Sequence, residues 1–203
     1  LPQMEKVHHS ATRQQYRYNM IRACPYWLYD KQPLVELADQ ILKANLQVST
    51  AETDTQDSVN ARASSVNFIT AQDDLGKEIF NKVWGFVTDA NIQADWNFNI
   101  STCEPFQYTQ YKDQQRYDWH VDNAFNQDDT RKLSFTILLS DDHTGGDFQF
   151  ELGSPGDADR ITTISMNKGD LVVFPSYTWH RVTPVNDGTR NSLVGWCRGP
   201  NFV

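Results

Sequence analysis

Trp96-Asn97-Phe98-Asn99-Ile100 and Phe106-Gln107-Tyr108-Thr109-Gln110-Tyr111 alternate apolar and polar residues with a period of two. That is the pattern of strands with one buried face. The same pattern continues through Leu133–Ser140, Phe148–Leu152, Ile161–Ser165, Leu171–Phe174 and Thr189–Cys197. Strong turn signals separate these runs: Thr144-Gly145-Gly146, Gly153-Ser154-Pro155-Gly156 and Lys168-Gly169-Asp170. About eight regularly spaced strands predict an antiparallel sandwich or jelly roll.

Upstream of Trp96 the period is helical. Leu34, Leu37, Ala38, Ile41, Leu42 and Leu46 recur at helical spacing, with Pro33 in the first turn. Residues 49–60 are polar and read as a loop, followed by a short strand over Ser64–Ile69. Asp73-Asp74 then caps a second helix carrying Leu75, Ile79, Val83, Trp84 and Val87. The expected organisation is one mostly β domain over residues 1–203. Residues 1–95 give an N-terminal arm and supporting helices, and residues 96–203 give the jelly-roll core.

Composition narrows the function classes. The chain has 203 residues and a net charge of −8, so it offers no basic footprint for nucleic acid or an anionic membrane. No apolar run has the length of a membrane span. Its 6 Trp, 8 Tyr and 11 Phe suit strands and a walled pocket. Cys24, Cys103 and Cys197 form no CxxC pair and read as reduced thiols. The start, Leu1-Pro2-Gln3, has no signal-peptide pattern, and a soluble, reducing, cytoplasmic setting is expected.

Chemistry centres on Tyr117-Asp118-Trp119-His120-Val121-Asp122-Asn123. Residues two apart on a strand share a face, so His120 and Asp122 could reach one ion. Alone, a His-x-Asp is a weak signal. Of the five histidines, His8-His9 read as a solvated arm and His143 lies in an acidic turn. His180 follows the apolar strand Leu171–Phe174. By itself it would be read as a satisfied core residue, but with His120 and Asp122 it completes two imidazoles and a carboxylate. That set suits a non-haem Fe(II) oxygenase, although an open site could also hold zinc and activate water.

Arg190 weighs between these readings. Alternation puts Arg190, Ser192, Val194 and Trp196 on one strand face. A guanidinium inside a barrel is costly unless it meets an anion, and its fork fits a carboxylate. This points to a dicarboxylate co-substrate shared between iron and Arg190, against the plainer reading of a surface arginine paired with an acid.

Several motifs occur in one order: Tyr111, Tyr117, His120-Val121-Asp122-Asn123-Ala124, Arg131-Lys132-Leu133-Ser134, Gly145-Gly146, Gly169-Asp170-Leu171-Val172-Val173-Phe174-Pro175 and His180-Arg181-Val182-Thr183-Pro184-Val185. Over about Phe106 to Trp196 the chain resembles the prolyl 4-hydroxylase-like Fe(II)/2-oxoglutarate dioxygenases, especially the PKHD-type hydroxylases. The resemblance implies a double-stranded β-helix (cupin-like) core. His120, Asp122 and His180 would ligate iron, and Arg190 and Tyr111 would hold 2-oxoglutarate. Tyr117 and Trp196 would line the substrate pocket.

The implied cofactors are Fe(II), 2-oxoglutarate and O2, with ascorbate as an accessory reductant. The implied reaction hydroxylates an unactivated C–H bond, foremost of a prolyl residue in a peptide or protein, and releases succinate and CO2. The alternatives are another amino acid or small molecule on the same scaffold, or a non-enzymatic metal-binding jelly-roll module. Where such relatives often carry glycines between the two tyrosines, this chain has Asp113-Gln114-Gln115-Arg116, at a loop that commonly borders the substrate entrance.

Overall fold

The computed structural model describes residues 24–51, 61–122 and 129–202. The arm over 1–23, with His8-His9, lies outside them, as do residues 52–60 of the polar loop. In chain order the elements begin with β1 (Trp27–Tyr29), α1 (Val35–Lys43), β2 (Ser49–Thr50), β3 (Arg62–Ala63), β4 (Ser65–Ile69) and α2 (Asp74–Gln93). Strands β5 (Thr102–Cys103), β6 (Phe106–Tyr111), β7 (Arg116–His120), β8 (Asp129–Leu138) and β9 (His143–Gly145) follow. The chain then forms β10 (Phe148–Glu151), β11 (Ile161–Ile164), β12 (Leu171–Pro175), β13 (His180–Val182), β14 (Val185–Gly188) and β15 (Arg190–Pro200).

These strands make a jelly roll. A major sheet runs β1-β12-β8-β15-β6-β4-β2, with β5 added on β15. A minor sheet runs β11-β10-β13-β7-β3, and β14 pairs with β9 at one end. Two hydrophobic clusters divide the interior. In one, Leu37 and Ile41 of α1 and Ile79, Val83 and Val87 of α2 pack on Leu133, Phe135, Ile137, Leu171, Val173 and Leu193 of the major sheet. In the other, Val172 and Phe174 meet Phe148, Phe150 and Val182 between the sheets. Strand β12 therefore sends alternate residues into two cores, which explains why all five are buried.

The central strands obey the same alternation with a different consequence. Their helix-facing residues are apolar, while Gln107, Thr109, Ser134, Thr136, Arg190 and Ser192 are buried and polar. These residues alternate with the core-facing set, so the polar ones belong to the opposite, inner face. Several satisfy one another there, as Gln107 Nε2 donates to Thr109 Oγ1 at 2.9 Å and Ser134 Oγ lies 3.0 Å from Ser176 Oγ.

Three local expectations change. Trp96–Ile100 is not a strand, because Asp95 and Asn97 adopt left-handed φ values of 60° and 51°. The backbone there closes the end of α2: Trp96 and Asn97 amides both donate to the Asn91 carbonyl. The Asn91 side chain accepts from the Phe98 amide and donates to the Phe98 carbonyl, each at 2.9 Å. The apolar alternation at Trp96 and Phe98 thus reports a capped helix end rather than a ladder. Pro33 falls just before α1, whose N-cap is Leu34, so it precedes the first turn. Asp73 does occupy the N-cap of α2, but its side chain makes no capping bond; its carboxylate accepts instead from Thr70 Oγ1 at 3.1 Å.

Candidate metal and anion site

His120 and His180, distant in sequence, are direct register partners on β7 and β13. Their ring centroids lie 4.1 Å apart. Asp122 joins them from beyond the end of β7, so strand alternation is not what brings it in. Its amide donates to the Ser176 carbonyl at 2.9 Å, and Arg131 Nη1 donates to its carbonyl at 3.3 Å. Those bonds turn the carboxylate inward: Oδ1 is 3.6 Å from His120 Nε2 and Oδ2 is 3.5 Å from His180 Nε2. One ligand atom from each of the three residues falls within 4.8 Å of the others.

The imidazoles are oriented for coordination. His120 Nδ1 is 2.7 Å from the Asp118 carbonyl and His180 Nδ1 is 2.8 Å from the Thr178 carbonyl. A carbonyl only accepts, so each Nδ1 carries a proton, and the neutral ring then presents its Nε2 lone pair to the centre. Asp122 Oδ2 is buried without a hydrogen-bond partner among the described residues. A buried carboxylate set against two imidazole Nε2 atoms fits a divalent cation.

The electrostatics agree. Burial and then the neighbouring His180 push His120 down to about 4, against smaller opposing effects of Asp122 and the Asp118 carbonyl. Burial raises the Asp122 carboxyl, but the two histidines outweigh it and leave it below its ordinary value. His120 is therefore neutral at pH 7, and its contact with Asp122 is not an ion pair. Between about 4 and 6.5 the unfolded chain binds the His120 proton and the folded chain does not, so stability rises with pH across that window. Metal-free protein is expected to lose stability as pH falls through this range, by on the order of 2 kcal/mol more than a His120→Gln variant. Urea unfolding at a series of pH values checks this, and parallel slopes for the two proteins would refute it.

Around the triad lies a cavity of about 440 Å³. Phe148, Phe174, Val182 and Val194 supply apolar wall, and Tyr111, Tyr117, Arg190 and Trp196 all line it. Arg190 is opposite Tyr111 across β15 and β6, and its guanidinium lies 5.7 Å from that ring. It is 2% exposed, yet its side chain has no hydrogen bond or ion pair among the described residues. Burial depresses the guanidinium below its usual value, offset only in part by Tyr111 and Asp147. A buried guanidinium without an ion pair has the chemistry to hold an anion.

Gly146 explains how Arg190 reaches the cavity. Gly146 has φ +66°, and a Cβ there would sit 2.8 Å from Arg190 Cδ and 3.0 Å from Val185 Cγ2. The missing side chain is the space through which the arginine stem passes. Tyr117 stacks flat on His120, with centroids 3.5 Å apart and an interplanar angle of 14°.

Three lining residues carry no role in the sequence reading. Arg62 lies 4.8 Å above the Tyr117 ring and donates Nε–H to Ser64 at 2.9 Å. Arg131 lies 4.1 Å over the Trp196 ring and forks onto Glu104 at 2.8 and 2.6 Å. Burial raises the Glu104 carboxyl, but Arg131 and Arg198 outweigh it and hold it below its ordinary value. The Arg131-Lys132 pair was visible in the motif order; nothing local marked Arg62 or Glu104.

Residues 106–198 match the 2OG-Fe(II) oxygenase superfamily. A PKHD-type hydroxylase of Synechococcus sp. (strain CC9902) is 39% identical over 82 residues, covering 39% of this chain and 35% of the relative. One of Acaryochloris marina is 38% identical over 91 residues, covering 44% of this chain and 39% of the relative. The chain thus spans under half the length of these curated relatives. Among solved structures, a Pseudomonas putida prolyl-4-hydroxylase superposes with TM-score 0.67 at 20% identity, over 87% of this chain and 94% of that one. A viral collagen prolyl hydroxylase from Paramecium bursaria Chlorella virus-1, in a 2OG complex, gives TM-score 0.62 at 18% identity, over 87% and 97%. At such identities these two report the shared fold.

Proposed function

We propose that this chain, whose residues 106–198 match the 2OG-Fe(II) oxygenase superfamily, is an oxygenase of that kind and hydroxylates an unactivated C–H bond, foremost of a prolyl residue in a peptide or protein. The observation that carries this reading is the buried, unpaired Arg190 in the same cavity as His120, Asp122 and His180. A triad alone would serve a zinc hydrolase equally well. A triad with an inward guanidinium fits a dicarboxylate chelated at one end and paired at the other.

His120, Asp122 and His180 are the ligands in this reading. Fe(II) bound by them with 2-oxoglutarate supplies the activation of O2 and the oxidation of the C–H bond, with release of succinate and CO2. The chain's own contribution is orientation and exclusion of water. The Asp118 and Thr178 carbonyls keep both imidazoles in the coordinating tautomer. Arg190 takes the far carboxylate through its fork, and the Tyr111 hydroxyl, whose ionisation burial opposes, remains a neutral donor beside it. Tyr117 from the minor sheet and Trp196 from the major sheet line the cavity that a substrate side chain would occupy. The prolyl choice is supported by the names of the structural neighbours, one of which is a prolyl hydroxylase in complex with a peptide fragment.

Anaerobic addition of Fe(II) and 2-oxoglutarate is expected to give a weak visible charge-transfer band. Aerobic incubation with a proline-rich peptide set is expected to give a mass gain of one oxygen with matching succinate. Absence of the band in the wild type, with 2-oxoglutarate binding indifferent to loss of Arg190, would remove the oxygenase reading. Oxygen gain on lysine or a free amino acid alone would replace the prolyl substrate. Gly146→Ala should raise KM for 2-oxoglutarate about tenfold with kcat nearly kept, because it displaces a co-substrate-holding side chain without touching the ligands. Succinate formation against 2-oxoglutarate concentration measures it.

A further inference from the structure

Cys103 and Cys197 are direct register partners on β5 and β15. One position away, the Glu104 amide donates to the Trp196 carbonyl at 2.9 Å. Hydrogen-bonded and non-hydrogen-bonded pairs alternate along an antiparallel ladder, so Cys103/Cys197 is a non-hydrogen-bonded pair. Such pairs have Cα atoms about 4.5 Å apart and side chains on one face, inside the roughly 4.4–6.8 Å that a disulfide spans. Both thiols are free and pack against the same helix-side core. Cys197 is fully buried, whereas Cys103 is half-buried and is met first by a dissolved oxidant. The Cys103 thiol and then burial hold the Cys197 thiol well above its ordinary range, so Cys197 is a poor first target. Cys24 is engaged elsewhere, its thiol donating to the Tyr26 carbonyl at 2.9 Å.

We propose that Cys103 and Cys197 are a peroxide-sensitive pair that closes to a reversible disulfide and thereby acts on the Trp196 wall of the cavity. Hydrogen peroxide oxidises the Cys103 thiolate to a sulfenic acid, its O–O bond breaking and hydroxide leaving to be protonated to water. The Cys197 sulfur, losing its proton, then attacks the Cys103 sulfur; the S–S bond forms as the S–O bond breaks, and the hydroxyl departs as a second water. Two thiols give up two electrons and two protons to one peroxide, and a dithiol reductant restores them.

The neighbours of both cysteines make the pair consequential. Glu104 follows Cys103 and holds Arg131 and Arg198. Trp196 precedes Cys197 and lies under the Arg131 guanidinium. Adjacent residues on a strand point to opposite faces, so a bond closed on the core side acts on the same short β5–β15 ladder that sets Glu104 and Trp196 against the cavity. This inference stands apart from the hydroxylase reading.

The test uses the full chain treated with hydrogen peroxide, alkylated, and digested without reduction. The expected result is a peptide linking Cys103 to Cys197, lighter by two hydrogens, with Cys24 still alkylated. In Cys197→Ala the same treatment is expected to leave Cys103 as a sulfenic acid that dimedone captures. Near-UV circular dichroism is expected to change on oxidation of the wild type, return with dithiothreitol, and lose most of the change in Trp196→Phe. Sulfinic acid on Cys103 beside an unreacted Cys197, or a bridge to Cys24, would overturn the pair. Identical oxidised and reduced spectra would overturn its action on the wall.

Discussion

Asp122→Ala is expected to abolish Fe(II) retention and 2-oxoglutarate turnover while the protein stays folded. Asp122 supplies the single carboxylate of the triad, and its Oδ2 has no other partner among the described residues. Removing it leaves two imidazoles and no anionic ligand. Loss of a residue that merely orients a ligand costs about 10–100-fold in metal affinity, so loss of the ligand itself should exceed about 100-fold. The fold should survive because the bonds that seat this segment are made by the Asp122 backbone, to Ser176 and Arg131. Iron content after desalting, far-UV circular dichroism and succinate formation give three independent readings. Wild-type iron retention in the variant would remove Asp122 from the ligand set.

Arg190→Met should act in opposite directions on binding and on stability. The guanidinium is buried with no ion pair among the described residues, so the ligand-free protein bears its desolvation cost. Methionine fills a similar volume without that cost, and the ligand-free Tm should hold or rise. Binding of 2-oxoglutarate should weaken by about 2–4 kcal/mol, roughly 30- to 1,000-fold, because its far carboxylate would be buried without a counter-charge. Arg190→Lys should fall between the two, since an ammonium keeps the charge and loses the fork. Calorimetric titration of 2-oxoglutarate and thermal unfolding of the same samples decide it. A drop in Tm with unchanged 2-oxoglutarate affinity would make Arg190 a structural residue.

The loop between the two tyrosines illustrates why a departure in sequence need not be one in shape. Asp113 and Gln114 occupy left-handed φ values of 46° and 67°, the conformation glycine adopts most readily. The Gln114 amide donates to the Val185 carbonyl at 2.9 Å and the Val185 amide to the Gln115 carbonyl at 3.1 Å. Those bonds hold the turn that glycine would otherwise ease. Side chains now stand where glycines would leave none.

Period and composition within the chain determined the strands β6, β8, β10, β11, β12 and β15, both helices, and the shared face of Arg190, Ser192, Val194 and Trp196. All four of those residues line the cavity. These are local properties: alternation fixes which side of a strand a residue takes, whatever the strand later meets. Local pattern failed where the backbone left the regular regions, at the α2 end over Trp96–Ile100, and where Asp122 lay past its strand. Tertiary structure alone decided the rest. The pairing of β7 with β13 sets His120 opposite His180, and the pairing of β5 with β15 sets Cys103 opposite Cys197. The packing of Arg131 between Glu104 and Trp196 is of the same kind. Register between strands distant in sequence follows from the global arrangement of hydrogen bonds and buried faces, which no short window of sequence contains.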